Sequence, residues 1–476
     1  MLRIRILLCA LLCCSALAAT ATEASASHGQ MLFFEASTDL LNPQTREHVV
    51  SQLQSLGVRA LRVELSWYSV APDPTSVTKP NFEATNPSSY GWEPYDWILN
   101  RARELHWHVL LTVSSPVPRW ATSNHQAPYI TRPDPQDFKE FMTAVGRHYN
   151  SQVSLYAIWN EPNQPAFLLP QFNSNRTAAS PRIYRALFQE GYAGLQAAGI
   201  THPKVLMGET APTGYDTVPA HEGLLHNVAP LAFLRGALCL NSHYKRSSSC
   251  SSLPAYGYSH HAYTKAAGPF YDPPGADNVT IGVLGRLTHA LDLAAKAHAI
   301  KAHIPVYLTE FGIQSYPNRE LGVPVSKQAQ FDAIAEKIAY ENPRMAAFSQ
   351  YLMSDDNLGG PSSSSADGGF VGFQTGLEYV NYTPKPLYYA FPVPLVIHKT
   401  HSGYALWGLV RLAGKSTKVT VLVKKKGARS FTTLKTLTTN SAGYWTLSSK
   451  VKGLSWSVRW KSPGGTTYNG PPIAAY

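Results

Sequence analysis

Two glutamates end apolar runs in the same way. Glu161 follows SLYAIWN and precedes Pro162; Glu310 follows PVYLT and precedes Phe311-Gly312. A run that stops on polar groups hands them to something outside the sheet. A pair of carboxyls suits cleavage of a glycosidic bond: one, protonated, delivers its proton to the leaving oxygen, and the other, ionised, attacks the anomeric carbon. The two roles require environments that push the pKa values apart. A carboxyl separation of about 5–5.5 Å goes with retention of anomeric configuration and a wider one with inversion.

Such a pair has to be positioned by a scaffold. From residue 31 to about 395, short apolar runs alternate with amphipathic helical stretches. Strand candidates are 31–35, 58–65, 108–113, 153–159, 205–208, 257–263, 305–309 and 346–352; helix-like segments include 46–56, 95–105, 137–149, 181–198, 283–299 and 327–340. Prolines 135 and 181 sit where a helix start tolerates them, and Gly57 and Gly199 sit at plausible helix ends. Eight β-then-α units predict an α/β fold, a (β/α)8 TIM barrel with long loops. A doubly wound sheet is the rival, but its Gly-rich phosphate turn after the first strand is missing. Glu161 then belongs to the fourth strand and Glu310 to the seventh, facing one another across the barrel mouth.

The motifs IWNEPN and YLTEFG together resemble those of the glycoside hydrolases of clan A, retaining (β/α)8 enzymes that include families 5 and 39. The likeness spans roughly residues 30–395 and is most detailed at strands two, four, six and seven. It implies that Glu161 is the acid/base, Glu310 the nucleophile, and Asn160 the residue that holds the sugar 2-hydroxyl. Arg62, in ALRVELSW, matches the clan's arginine beside the nucleophile, where its charge would keep Glu310 ionised. His261 and Tyr263, in YSHHAYT, resemble a strand-six His-x-Tyr: the tyrosine would orient Glu310 and the imidazole would touch substrate or the acid/base. Bland readings stand beside these. Arg62 and Glu64 share a strand face and could pair internally, and either His260 or His261 could be a satisfied structural histidine. Trp67, Trp120 and Tyr351 fall at or just after strand ends as candidate stacking platforms. Asp355 and Asp356 could bind sugar hydroxyls or form an exposed acidic turn. Many family 5 members carry Trp at strand eight, where this chain has SQYLMSDD, a departure that speaks against glucan specificity. The mechanism needs no metal or other cofactor, and no CxxC-type metal spacing is present.

The rest of the chain sets the context. In 476 residues the net charge is +11, yet residues 401–476 hold twelve Lys or Arg and no Asp or Glu, leaving 29 basic and 30 acidic side chains before them. The main body therefore gives no support to nucleic-acid binding. The tail, 401–476, reads as a small basic β-sandwich of Ig-like type, with strand-like runs separated by KKKGARS, TTNSAG and KSPGGTT turns. It could hold the protein on an anionic cell-wall polymer. Residues 1–26 have the pattern of a secretory signal peptide: Arg3 and Arg5, then an apolar stretch, then small residues. A secreted or wall-associated protein without a membrane span follows. Cys239 and Cys250 bracket a polar loop and predict a disulfide in an oxidising compartment, against two free thiols. Residues 359–370, GGPSSSSADGGF, read as a surface loop or a lid. The leading function is a retaining glycosidase acting on a poly- or oligosaccharide; the other is a carbohydrate-binding barrel without turnover.

Overall fold

The structure is a computed structural model that describes residues 29–247, 250–356 and 372–476. The signal-peptide and 359–370 expectations therefore lie outside the described residues. Eight parallel strands close into a barrel in sequence order: β1 (Met31–Glu35), β2 (Ala60–Ser66), β3 (His108–Ser114), β4 (Leu155–Ile158), β5 (Val205–Thr210), β6 (Gly257–His261), β7 (Val306–Glu310) and β8 (Met345–Tyr351). The expected (β/α)8 barrel is present, with strand boundaries shifted by a few residues. Amphipathic helices such as Pro135–Tyr149 and Ser180–Ala197 cover the outside. The first of these is stopped cleanly at its N-terminus, where the Asp134 carboxylate accepts from the backbone N–H groups of Gln136 and Asp137. Among the described residues no helix is long and apolar enough to cross a membrane.

Inside the barrel, period-two alternation places every second side chain on the axis. The bottom is apolar: Phe33, Ala60, Leu110, Leu155, Leu206, Tyr307 and Ala347 pack together. Two residues further along β1, β2, β3, β7 and β8 the interior turns polar, with Glu35, Arg62, Thr112, Thr309 and Ser349 buried beside Ser259 of β6, while β4 keeps the apolar Ala157. The Ser259 and Thr309 hydroxyls meet at 2.5 Å. The apolar floor thus seals the barrel from below and confines the charged groups to its C-terminal mouth.

Seven further strands follow the barrel: β9 (Leu395–Thr400), β10 (Gly403–Leu409), β11 (Lys418–Lys424), β12 (Thr432–Thr438), β13 (Tyr444–Ser449), β14 (Ser455–Lys461) and β15 (Thr467–Asn469). They form a three-stranded sheet, β13-β10-β9, and a four-stranded sheet, β12-β11-β14-β15, both antiparallel. Val419, Val421, Val423, Trp456, Val458 and Trp460 project from the second sheet into a core shared with Leu395, Ile397, Leu406 and Trp445 of the first.

These sheets dock on the barrel through helix Val325–Tyr340, whose Ala333, Ile334 and Tyr340 pack on Val396, Trp407 and Leu409. At the same contact Arg411 donates to both Glu336 carboxylate oxygens, at 3.0 and 2.9 Å, with both side chains buried. Removing one partner of a buried pair strands the other's charge, at a cost of about 3–5 kcal/mol. Arg411→Ala is therefore expected to lower the urea midpoint of the intact protein. An unchanged midpoint would mean the pair contributes nothing to the docking.

Cys239 and Cys250 form a disulfide that closes the loop before β6.

Candidate active site

Three strands break their alternation at the mouth, and each break delivers a carboxylate. On β7 the pairing with β6 shifts so that His261 lies opposite Glu310, and the shift turns Glu310 onto the axis. On β5 a shift between Gly208 and Thr210 brings Glu209 inward with φ 51°. Gly208 is needed there: its φ is 114°, and a Cβ would lie 2.5 Å from the Ser259 carbonyl oxygen. After β4, Trp159 and Glu161 both have positive φ, 73° and 34°. The chain leaves the sheet at that point and carries the Glu161 carboxyl over the barrel mouth. Positive φ in non-glycine residues is strained and persists where the surrounding structure fixes it.

The two glutamates singled out by their position converge on one nitrogen. His261 Nδ1 lies 3.0 Å from Glu161 Oε1 and 3.5 Å from Glu310 Oε2. Tyr263 donates its hydroxyl to Glu310 Oε1 at 2.7 Å, and Gln164 Nε2 donates to Glu161 Oε2. Asn160 is held from both ends: its backbone N–H donates to Ser114 Oγ at 3.0 Å and its Oδ1 accepts from Arg62 Nη2 at 2.8 Å. Of the two adjacent histidines, His260 is the structural one, hydrogen-bonded to Thr210 Oγ1 and the Val279 carbonyl. Burial pushes His260 down to about 4 and His261 well below the ordinary imidazole value, so both rings are neutral.

Arg62 is fully buried and does not pair with its strand-mate Glu64. It reaches across the barrel to Glu35 on β1, to Glu209 on β5 at 2.7 Å and to Glu310 on β7 at 3.3 Å. The expectation that Arg62 serves the nucleophile is thus modified: Glu310 is the most distant of its three carboxylate partners. Five carboxyls, those of Glu35, Glu64, Glu161, Glu209 and Glu310, crowd this one guanidinium. Burial, reinforced by neighbouring carboxylates, pushes Glu64 up to about 7 and Glu161 up to about 8, against the pull of Arg62. Glu310 is also raised, by burial first and then by Glu35, while Arg62 and the Tyr263 hydroxyl oppose the rise. Glu161 is thereby equipped to carry a proton at neutral pH.

Two expected platforms are corrected. Trp67 opens the short helix Trp67–Val70 and folds back onto helix Pro135–Tyr149, where it is fully buried, stacked on Phe141 with centroids 5.1 Å apart. Trp120 meets Trp67 edge-on at 5.8 Å and packs on Phe82, with the Lys79 ammonium over its ring. The packing behind β2 and β3 uses up both indole faces. Tyr351 does stand at the mouth, edge-on to Phe373 and Tyr263 with centroids 5.1 and 6.4 Å away. Asp355 and Asp356 are buried and not an exposed turn; Asp355 pairs with buried Lys385 at 2.5 Å, and burial pushes it up to about 6.

A cleft of about 210 Å³ opens beside the cluster, lined by Glu161, Gln164, Tyr263, Tyr271, Gln314 and Phe373 among others. Glu35, Glu209 and Gln164 were missed by the sequence reading. Glu35 and Glu209 carry the same signal as the chosen pair, a carboxylate at the end of an apolar run (MLFFE, VLMGET).

No protein-family model matches the sequence, and no curated protein matches it. Solved structures do superpose on it. A glucosidase from Croceicoccus marinus aligns with a TM-score of 0.51 and 11% identity, over 90% of this chain and 94% of its own. The GH39 enzyme from Xanthomonas axonopodis pv. citri aligns with a TM-score of 0.48 and 14% identity, over 89% of this chain and 92% of its own. At such identity a likeness speaks to architecture, and the chain shares the fold of the Croceicoccus marinus glucosidase: a (β/α)8 barrel continued by antiparallel β-sheets.

Proposed function

We propose that the protein is a secreted retaining glycoside hydrolase acting on a poly- or oligosaccharide. One observation carries this reading: Glu161 and Glu310, from strands β4 and β7, both lie within 3.5 Å of the same imidazole nitrogen. The two oxygens concerned, 3.0 and 3.5 Å from that nitrogen, are therefore no more than about 6.5 Å apart, within the range in which a carboxyl pair can flank one glycosidic bond. In the proposed cycle the Glu161 carboxylic acid gives its proton to the leaving oxygen while the Glu310 carboxylate attacks the anomeric carbon. The resulting glycosyl ester is then displaced by water, whose proton returns to Glu161, and Glu310 is released. Tyr263 orients the attacking carboxylate through its hydroxyl, and Asn160, braced by Arg62, faces the sugar.

Neutral His261 fits between the acids. A neutral ring nitrogen either donates to a carboxylate or accepts from a carboxylic acid, so Nδ1 is compatible with Glu161 in both of its protonation states. The test is hydrolysis of a panel of aryl glycosides, with the anomer of the first-formed sugar read by proton NMR. Inversion of configuration would reject the double displacement. No turnover on any sugar would favour the binding-protein alternative.

A pH profile gives a second check. Glu161 acts protonated, so kcat/KM should fall as pH rises through about 8. Glu310 acts ionised and is raised, so the acid limb should lie above the ordinary carboxylate range. With an activated aryl leaving group Glu161→Ala should lose the alkaline limb. Its persistence in that variant would remove Glu161 from the role of acid.

The basic segment 401–476 is read as an anchoring module that holds the enzyme on an anionic polymer of the cell wall. The support is its charge: twelve Lys or Arg against no Asp or Glu.

A further inference from the structure

Three of the twelve positive side chains of residues 401–476, Lys418, Arg459 and Lys461, lie together on one face of the C-terminal sheets. One sheet, β12-β11-β14-β15, turns Val419, Val421, Val423, Trp456, Val458 and Trp460 inward, so the alternate residues form its outer face. Its register aligns them in rows. Thr436, Thr420, Arg459 and Asn469 sit opposite one another across all four strands. In the next row Thr438 lies opposite Lys418 on one side and Thr467 opposite Lys461 on the other. The row is internally tied: Thr420 and Thr436 hydroxyls are 3.1 Å apart, and Arg459 Nε donates to Asn469 Oδ1 at 3.0 Å. Lys418, Arg459, Lys461, Thr436, Thr438 and Thr467 are all exposed.

We propose that this outer face is a docking surface for an extended polyuronate, an acidic polysaccharide carrying a carboxylate on successive sugars. This deepens the anchoring reading of residues 401–476 and does not depend on hydrolysis by the barrel. The composition of the face selects the partner. Cations match carboxylates, and the threonine hydroxyls and Asn469 amide between them match sugar hydroxyls. Strands about 4.8 Å apart repeat these donors on the length scale of a sugar chain. No carboxylate competes, because the segment contains none. Nucleic acid is disfavoured, since the face offers no aromatic ring on which bases could stack. A lipid surface is disfavoured because, among the described residues of this segment, the exposed large hydrophobic is Leu454, in the turn before β14.

The proposal separates cleanly from the coarser one by comparing two variants of equal charge change. In the full-length protein, Lys418→Glu/Arg459→Glu/Lys461→Glu reverses the face, while Lys425→Glu/Lys426→Glu/Arg429→Glu reverses the turn between β11 and β12. Binding to polygalacturonate is measured by affinity electrophoresis and by salt elution from the immobilised polymer, with melting temperature as the folding check. If the reversed face lowers that temperature, glutamine takes the place of glutamate in both variants. The face variant should lose about tenfold or more in affinity and elute at lower salt, and the turn variant should lose far less. Equal losses in both would leave anchoring by net charge standing and overturn the face. No binding by the unaltered protein would overturn both. Equal competition by a single-stranded oligonucleotide or by anionic phospholipid vesicles would overturn the polyuronate assignment.

Discussion

Replacing Glu310 by alanine should lower turnover of aryl glycosides by about four orders of magnitude or more, the scale seen when a covalent nucleophile is lost. Among the described residues the side chain is hydrogen-bonded or paired to Tyr263, His261 and Arg62, contacts that hold its carboxylate on the barrel axis. The small variant leaves room for an external anion. Azide should restore part of the activity and yield a glycosyl azide whose configuration is inverted relative to the substrate. Glu161→Ala should behave differently. Its loss should be large for a poor leaving group and slight for a good one, because a general acid contributes about 10²–10⁴-fold only where the leaving oxygen needs its proton. Product from Glu310→Ala at the wild-type rate, or the same leaving-group dependence in both variants, would end the assignment.

Arg62→Met is expected to be the most damaging substitution for stability. The change keeps length and apolar bulk but removes the cation buried among Glu35, Glu209 and Glu310. Breaking a buried pair by deleting one partner costs about 3–5 kcal/mol, and here three acceptors lose their counter-charge together. The sign of the pH dependence follows. Arg62 opposes the rise of Glu35 and Glu310, so without it these two carboxyls stand further above their unfolded values and the folded protein binds more protons than the unfolded one. The missing stability is therefore partly restored in acid and grows as pH rises above about 4–4.5, the ordinary carboxylate range. Unfolding midpoints in urea at pH 4.5 and pH 7.5 test this: the gap between variant and parent should widen at the higher pH. An equal gap at both would mean that the loss is one of packing and not of charge.

The barrel was legible because its signals are local and repeated: apolar runs of strand length, amphipathic stretches between them, and proline and glycine at helix ends. The carboxylates at 161 and 310 were legible for a related reason, since a charge at the end of a buried run has few structural uses. The division of Arg62 was not. Alternation correctly sets Arg62 and Glu64 on one face, but the guanidinium crosses the barrel to partners on β1, β5 and β7, and nothing in a single strand reports what lies across the axis. Glu209 was hidden for a second reason. Strict alternation from Leu206 puts Gly208 inside and Glu209 outside, and only the irregular pairing of β5 with β6 reverses that. Trp67 was misread because a short helix follows β2 at once and turns the indole away from the mouth.

The Arg62 cluster also sits where the barrel is least well sewn. Between β1 and β2 the described pairing is the single register Phe34 with Leu61, and between β4 and β5 it is two, whereas β2 and β3 match along seven residues. Contacts of Arg62 reach across these seams: on β2 it pairs with Glu35 of β1, and it holds both Asn160, which follows β4, and Glu209 of β5. The groups to which the proposed function assigns the reaction are thus also the clasp of the cylinder. If the proposed function holds, warming that opens the seams is expected to end activity in the same transition that unfolds the barrel.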